Sequence, residues 1–156
     1  MIKPINVYLA GGFRSGWQDK VKEACKDLFD QGLVTWNDPR ENNTRDPEVY
    51  GPMDRARCEL ANTCFGYAEK DNPMPFPLFM EMGYMLGRGK SIIFVNELNE
   101  SDHRYRAYYF AKVFGCEQIP MAENLEIGIT ALRVHIILLS SLRKYEEVEG
   151  KAPIRE

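Results

Sequence analysis

Short apolar runs recur along this chain with helically spaced segments between them, and that alternation constrains the fold more than any other feature. Residues 5–10, 33–36, 63–68 and 90–95 each read as a compact strand. Val21, Ala24, Cys25 and Leu28 recur at helical spacing before Gly32, and residues 50–60 and 79–87 carry two further helices. Beyond them, 102–114 reads as helix, 117–120 as a short fifth strand, and 125–145 as the last helix. Strands separated by helix-length connections pair in parallel, and a parallel sheet must be covered on both faces. The expectation is therefore an α/β protein: a flavodoxin-like three-layer sandwich with a five-stranded, mostly parallel sheet in the order 2-1-3-4-5.

A chain of 156 residues, 44% hydrophobic and 28% charged, suits one domain with a substantial core. That domain is expected to span 1–146, with 147–156 as a loose tail. A net charge of −3 gives no general attraction to nucleic-acid polymers. Cys25, Cys58, Cys64 and Cys116 lack metal-ligand spacing, so they read as reduced packing residues of a cytoplasmic protein, and neither metal nor cofactor is expected. No stretch is read as long enough to span a membrane.

In this strand order, ligands gather at the switch point between strands 1 and 3, outside their carboxyl ends. The loops there are 11–17, opening with Gly11 and Gly12, and 69–79, leading to Glu81. Glu81 falls in the expected first turn of a helix that is otherwise apolar (Leu78, Phe79, Met80, Met82, Met85, Leu86). Two readings stand open. The carboxylate either favours the positive end of the helix dipole or pairs with Arg88 or Lys90, or it serves as a nucleophile at the crevice.

Several segments occur in a telling order: Val7-Tyr8-Leu9-Ala10-Gly11-Gly12-Phe13, the Asp38-Pro39-Arg40 turn, a helix beginning near Asp54, Tyr67-Ala68-Glu69-Lys70-Asp71-Asn72-Pro73, and Glu81-Met82-Gly83-Tyr84 followed by Gly89-Lys90. Together they resemble the nucleoside 2-deoxyribosyltransferase family, whose superfamily also contains deoxynucleotide N-glycosidases. The match covers roughly residues 5 to 96. The resemblance implies that Glu81 is a nucleophile forming a covalent glycosyl ester, and that Tyr8 donates a hydrogen bond to it. It further implies that Asp54, near the start of the second helix, holds the departing base. Substrate contacts are expected from Gly11, Gly12, Phe13, Asp71 and Asn72, with Phe13 preferred over Trp17 for stacking on a base. The implied partners are a small-molecule nucleoside, a free nucleobase, and further copies of the chain in a homo-oligomer.

The chain also departs from the family pattern. Pro73, Pro75 and Pro77, with Phe76, Leu78 and Phe79, stand where relatives carry a small glycine-containing run. Prolines remove N–H donors, so this segment reads as an apolar wall and argues against a 5′-phosphate. Asn62 replaces an aspartate before strand 3, and an asparagine that relatives contribute from a neighbouring subunit has no counterpart in 102–110. N-glycoside hydrolysis, with water resolving the same intermediate, and a non-catalytic nucleotide-binding module are the alternative functions. Met80 and Met82, flanking Glu81, suggest crowding against a ribose 2′-hydroxyl.

Overall fold

The computed structural model describes residues 3–70, 76–98 and 121–149. Four strands, Ile5–Gly11 (β1), Val34–Asn37 (β2), Thr63–Ala68 (β3) and Ser91–Asn96 (β4), form a parallel sheet in the order β2-β1-β3-β4. Tyr8 lies opposite Cys64, Gly11 opposite Tyr67, and Phe65 opposite Ile93. Met121–Ala122 (β5) pair in parallel with Phe94 and Val95 of β4. The expected strand over 117–120 and helix over 102–114 lie outside the described residues, as do Asp71, Asn72, His103 and Cys116.

Side-chain alternation along the strands splits the core in two. Val7, Leu9, Phe65, Tyr67, Ile93 and Val95 face a layer made by Trp17–Ala24 (α1), Lys26–Asp30 (α2) and Leu125–Glu149 (α5). Tyr8, Ala10, Cys64, Ala68, Ile92 and Phe94 face Pro47–Leu60 (α3) and Phe76–Gly87 (α4). Both faces are thus covered, as a parallel sheet requires.

Several local features differ from the sequence reading. The helix before Gly32 is jointed at Cys25, whose carbonyl accepts from both Leu28 and Phe29, so the joint keeps Cys25 and Leu28 in the core. The loop after β2 contains a 3-10 turn, Pro39–Asn42, capped by the Asp38 carboxylate. Helix α3 begins at Pro47, earlier than expected, because Asp46 caps it and proline suits a first helical position. Helix α4 begins at Phe76, which moves Glu81 out of the first turn. Helix α5 runs through Glu149, into the stretch expected as a tail.

The expectation that nothing is long enough to span a membrane is corrected by α5, where Leu125–Val148 is long and apolar enough. Its inner face, however, is spent on the sheet: Leu132 and Ile136 are fully buried there. Gly128 lets the helix sit down, since a Cβ at that position would lie 2.2 Å from Val95. Cys25, Cys58 and Cys64 are buried free thiols, and His135 is satisfied by Thr63 Oγ1 at 3.0 Å.

Candidate functional site

Two glycines shape the floor of the switch point. Gly11 ends β1 at φ 149°, and a Cβ there would meet the Tyr67 carbonyl oxygen at 2.5 Å, so no larger residue fits. Beyond it, the Gly12 carbonyl accepts from Trp17 Nε1 at 2.7 Å and Gln18 Nε2 at 2.9 Å. Trp17, fully buried against Phe65 and Tyr67, thereby anchors the glycine loop to the core. A second tie joins the Ser15 hydroxyl to the buried Glu69 carboxylate, locking the loop after β1 to the loop after β3.

Gly66 plays the corresponding part under α4. A Cβ at Gly66 would stand 2.8 Å from Met82 Sδ and 3.1 Å from Leu78 Cδ1. Without one, Leu78 and Met82, a helical turn apart, press directly onto β3. Glu81 lies between them in sequence, and from there it reaches the β1 tyrosine: the Tyr8 hydroxyl donates to Glu81 Oε1 at 2.8 Å.

The surroundings of Glu81 differ from those that the helix-dipole and ion-pair readings call for. Being in the second turn, Glu81 is poorly placed for the helix dipole, which falls off within the first turn. Arg88 pairs instead with Glu59, and Lys90 donates to the Glu59 carbonyl. Burial pushes the Glu81 carboxyl up to about 7, against the lowering effect of the Tyr8 hydrogen bond, and the Asp54 carboxylate raises it further. Tyr8 is fully buried, and burial together with the Glu81 charge holds its phenol far above the usual range. It is therefore a fixed donor. Cys58, beside it, is pushed up to about 12 by burial and the Glu81 charge and stays a neutral thiol.

Asp54 lies in the interior of α3 and faces the same cleft. Asn42 Nδ2 donates to Asp54 Oδ1 at 2.6 Å, while Asn42 Oδ1 accepts from Arg57 Nε at 2.9 Å. The asparagine thus bridges a cation and a carboxylate. Burial raises the Asp54 carboxyl, opposed by the Asn42 hydrogen bond and the Arg57 charge.

Glu81, Asp54 and Asn42 line one cleft of about 690 Å³, a size suited to a small molecule. Gly11, Gly12 and Phe13 form one side, Pro77, Leu78 and Glu81 another, and residues 42–45 with Tyr50 and Asp54 the third. Phe13 is half exposed, as a stacking residue must be, whereas Trp17 belongs to the core. The expected crowding by Met80 and Met82 is corrected: Met82 is buried beneath Gly66 and Met80 is 75% exposed, so neither lines the cleft. Sequence reasoning missed Asn42, Arg45 and Tyr50. The signal was present, since residues 38–46 follow the carboxyl end of a strand in a parallel sheet, where ligand-binding loops belong. Arg40 also borders the cleft, but Asp19 and Asp38 hold its guanidinium.

Fold and cleft together define an α/β protein with a tyrosine-held carboxylate at the carboxyl edge of its sheet. A conserved protein from Enterococcus faecalis V583 is similar over 81% of this chain and 96% of its own, with 12% identity and a TM-score of 0.55. That likeness speaks to the fold alone. The 2-deoxyribosyltransferase from the psychrotolerant bacterium Bacillus psychrosaccharolyticus matches over 64% of this chain and 78% of its own, with 23% identity and a TM-score of 0.49. No family model and no curated protein sequence matches the chain.

Proposed function

We propose that this protein cleaves the N-glycosidic bond of a nucleoside or 2′-deoxynucleoside and passes the sugar to another base through a glycosyl ester of Glu81. The observation that carries this reading is the 2.8 Å hydrogen bond from Tyr8 to Glu81 at the floor of the cleft. Tyr8 fixes one carboxylate oxygen, which orients the other for attack on the anomeric carbon. As the C–O bond forms, the C–N bond breaks, and the base departs with a proton supplied or shared by Asp54. The nitrogen of an incoming base then displaces Glu81 and returns that proton. Retention of configuration follows from the two displacements.

The apolar wall of Pro77 and Leu78 favours a neutral nucleoside, and Phe13 supplies a face for stacking. Incubating the protein with a deoxynucleoside and a second free purine tests the proposal, with the exchanged nucleoside as the expected product. Free base and sugar as the only products would assign hydrolysis instead, and no consumption would count against both.

The protonation states give a pH dependence. Glu81 attacks only when ionised, so kcat/KM is expected to fall as pH drops through about 7. A flat profile between about pH 5.5 and 8 would contradict the role.

Asn42 gives a second expectation. In Asn42→Ala, Asp54 loses the bond that orients it and lowers its pKa, and turnover is expected to fall roughly 10- to 100-fold. Because Asn42 lies on a surface loop, the change is expected to cost only about 1 kcal/mol of stability. Base-exchange kinetics with urea unfolding of the same variant check both, and an unchanged kcat would remove Asp54 from the mechanism.

A further inference from the structure

The wall of the cleft that carries Asp54 also carries two side chains with no part in the glycosyl transfer itself, Arg45 and Tyr50. The arginines lining the cleft differ in what holds them. Asp19 and Asp38 bind the Arg40 guanidinium, whereas Arg45 has no hydrogen bond or ion pair among the described residues. Its acidic neighbour is engaged elsewhere: the Asp46 carboxylate caps α3, accepting from the Glu48 amide at 3.0 Å. The carboxylates of the cleft have partners too, Glu81 in Tyr8 and Asp54 in Asn42. Arg45 therefore offers the cleft a planar fork of five N–H donors and no acceptor.

The chain places that fork beside the base and not the sugar. Asn42, whose amide bonds Asp54 at 2.6 Å, begins the segment 42–45 that continues the Asp54 wall. Glu81, which would receive the sugar, lies with Pro77 and Leu78 on a different wall. Tyr50, one helical turn before Asp54, and Phe13 each leave an aromatic ring accessible, 38% and 54% exposed, to a planar ligand.

We infer that this wall is a base-specificity subsite, in which Arg45 selects a nucleobase with a carbonyl oxygen on the edge beyond Asp54, as in a 6-oxopurine, over one with an amino group there. Its location rests on the reading of Asp54 as the group that serves the base. The selection is acceptor against donor. A carbonyl oxygen and the ring nitrogen beside it accept two N–H bonds from one guanidinium, whereas an exocyclic amino group sets donor against donor. A 5′-phosphate would also accept from a guanidinium, but it belongs to the sugar, against the apolar wall of Pro77 and Leu78.

Calorimetry with hypoxanthine and adenine tests this without turnover, since the free bases differ at the oxo or amino edge and contain no glycosidic bond. The wild type is expected to bind hypoxanthine about tenfold more tightly than adenine. Arg45→Met is expected to erase the preference by weakening hypoxanthine about tenfold, with adenine nearly unchanged. Because Arg45 has no partner among the described residues, the urea midpoint is expected to stay where it is. Hypoxanthine that binds no better than adenine, or an Arg45→Met that weakens both alike, overturns the subsite and leaves the role of Glu81 standing. If only 2′-deoxyinosine 5′-monophosphate responds to Arg45→Met, the guanidinium serves a phosphate and the subsite is likewise overturned. Discrimination between the bases in a protein that exchanges neither supports the subsite and counts against the transfer reaction alone.

Discussion

Glu81→Gln is expected to lower the rate of base exchange by about a thousandfold or more while leaving the fold intact, since loss of a nucleophile typically costs orders of magnitude in kcat. Glutamine preserves the side-chain shape, and its amide oxygen can still accept from Tyr8. What disappears is the anionic oxygen that bonds to the sugar. Stability separates this role from a structural one. The folded Glu81 carboxyl sits near 7, above its ordinary 4.5, so the native state holds the proton more tightly than the unfolded chain. The stability this contributes is complete below about pH 4.5 and is lost as pH rises through about 7. Glutamine carries no such titration. Above pH 7 the variant should therefore unfold at the same urea concentration as the wild type or a higher one, although it is inactive. Exchange at a tenth of the wild-type rate, or a large drop in the urea midpoint at pH 8, would remove Glu81 from the nucleophile's place.

Trp17→Ala is expected to produce the largest loss of stability, about 3–5 kcal/mol, as for other fully buried large aromatics. Domains have only about 5–15 kcal/mol in total, so the variant would stand near the edge of folding. The ring is completely buried, with centroids 5.8 Å from Phe65 and 5.4 Å from Tyr67, and its removal opens the layer between β3 and α1. Trp17→Phe keeps most of that packing but withdraws the indole donor from the Gly12 carbonyl, which then depends on Gln18 alone. Its expected cost is about 1–2 kcal/mol. A looser glycine loop should raise KM for the nucleoside more than it lowers kcat, since this loop lines the cleft but holds neither Tyr8 nor Glu81. Urea unfolding and steady-state exchange kinetics of the two variants measure these effects. A Trp17→Ala midpoint equal to wild type would show that the ring does not hold the layer together.

The sequence by itself determined the alternation of strands and helices, because apolar runs bounded by Gly11-Gly12 or Gly89-Lys90 can bury a strand only in a covered parallel sheet. It also singled out Tyr8, Asp54 and Glu81: the fold sets Asp54 and Glu81 on one cleft, with the buried Tyr8 hydroxyl bonded to Glu81. Tertiary structure decided how they meet. In the sequence Gly66 is one small residue within the run 63–68, and its consequence, the seating of Leu78 and Met82 on β3, depends on a helix further along the chain. The bridge from Arg57 through Asn42 to Asp54 was invisible for the same reason: it joins a turn after one strand to the interior of the next helix. Met80 and Met82 show the converse. Their closeness to Glu81 in sequence suggested a shared role, but successive helical residues point about 100° apart, so the three side chains part company.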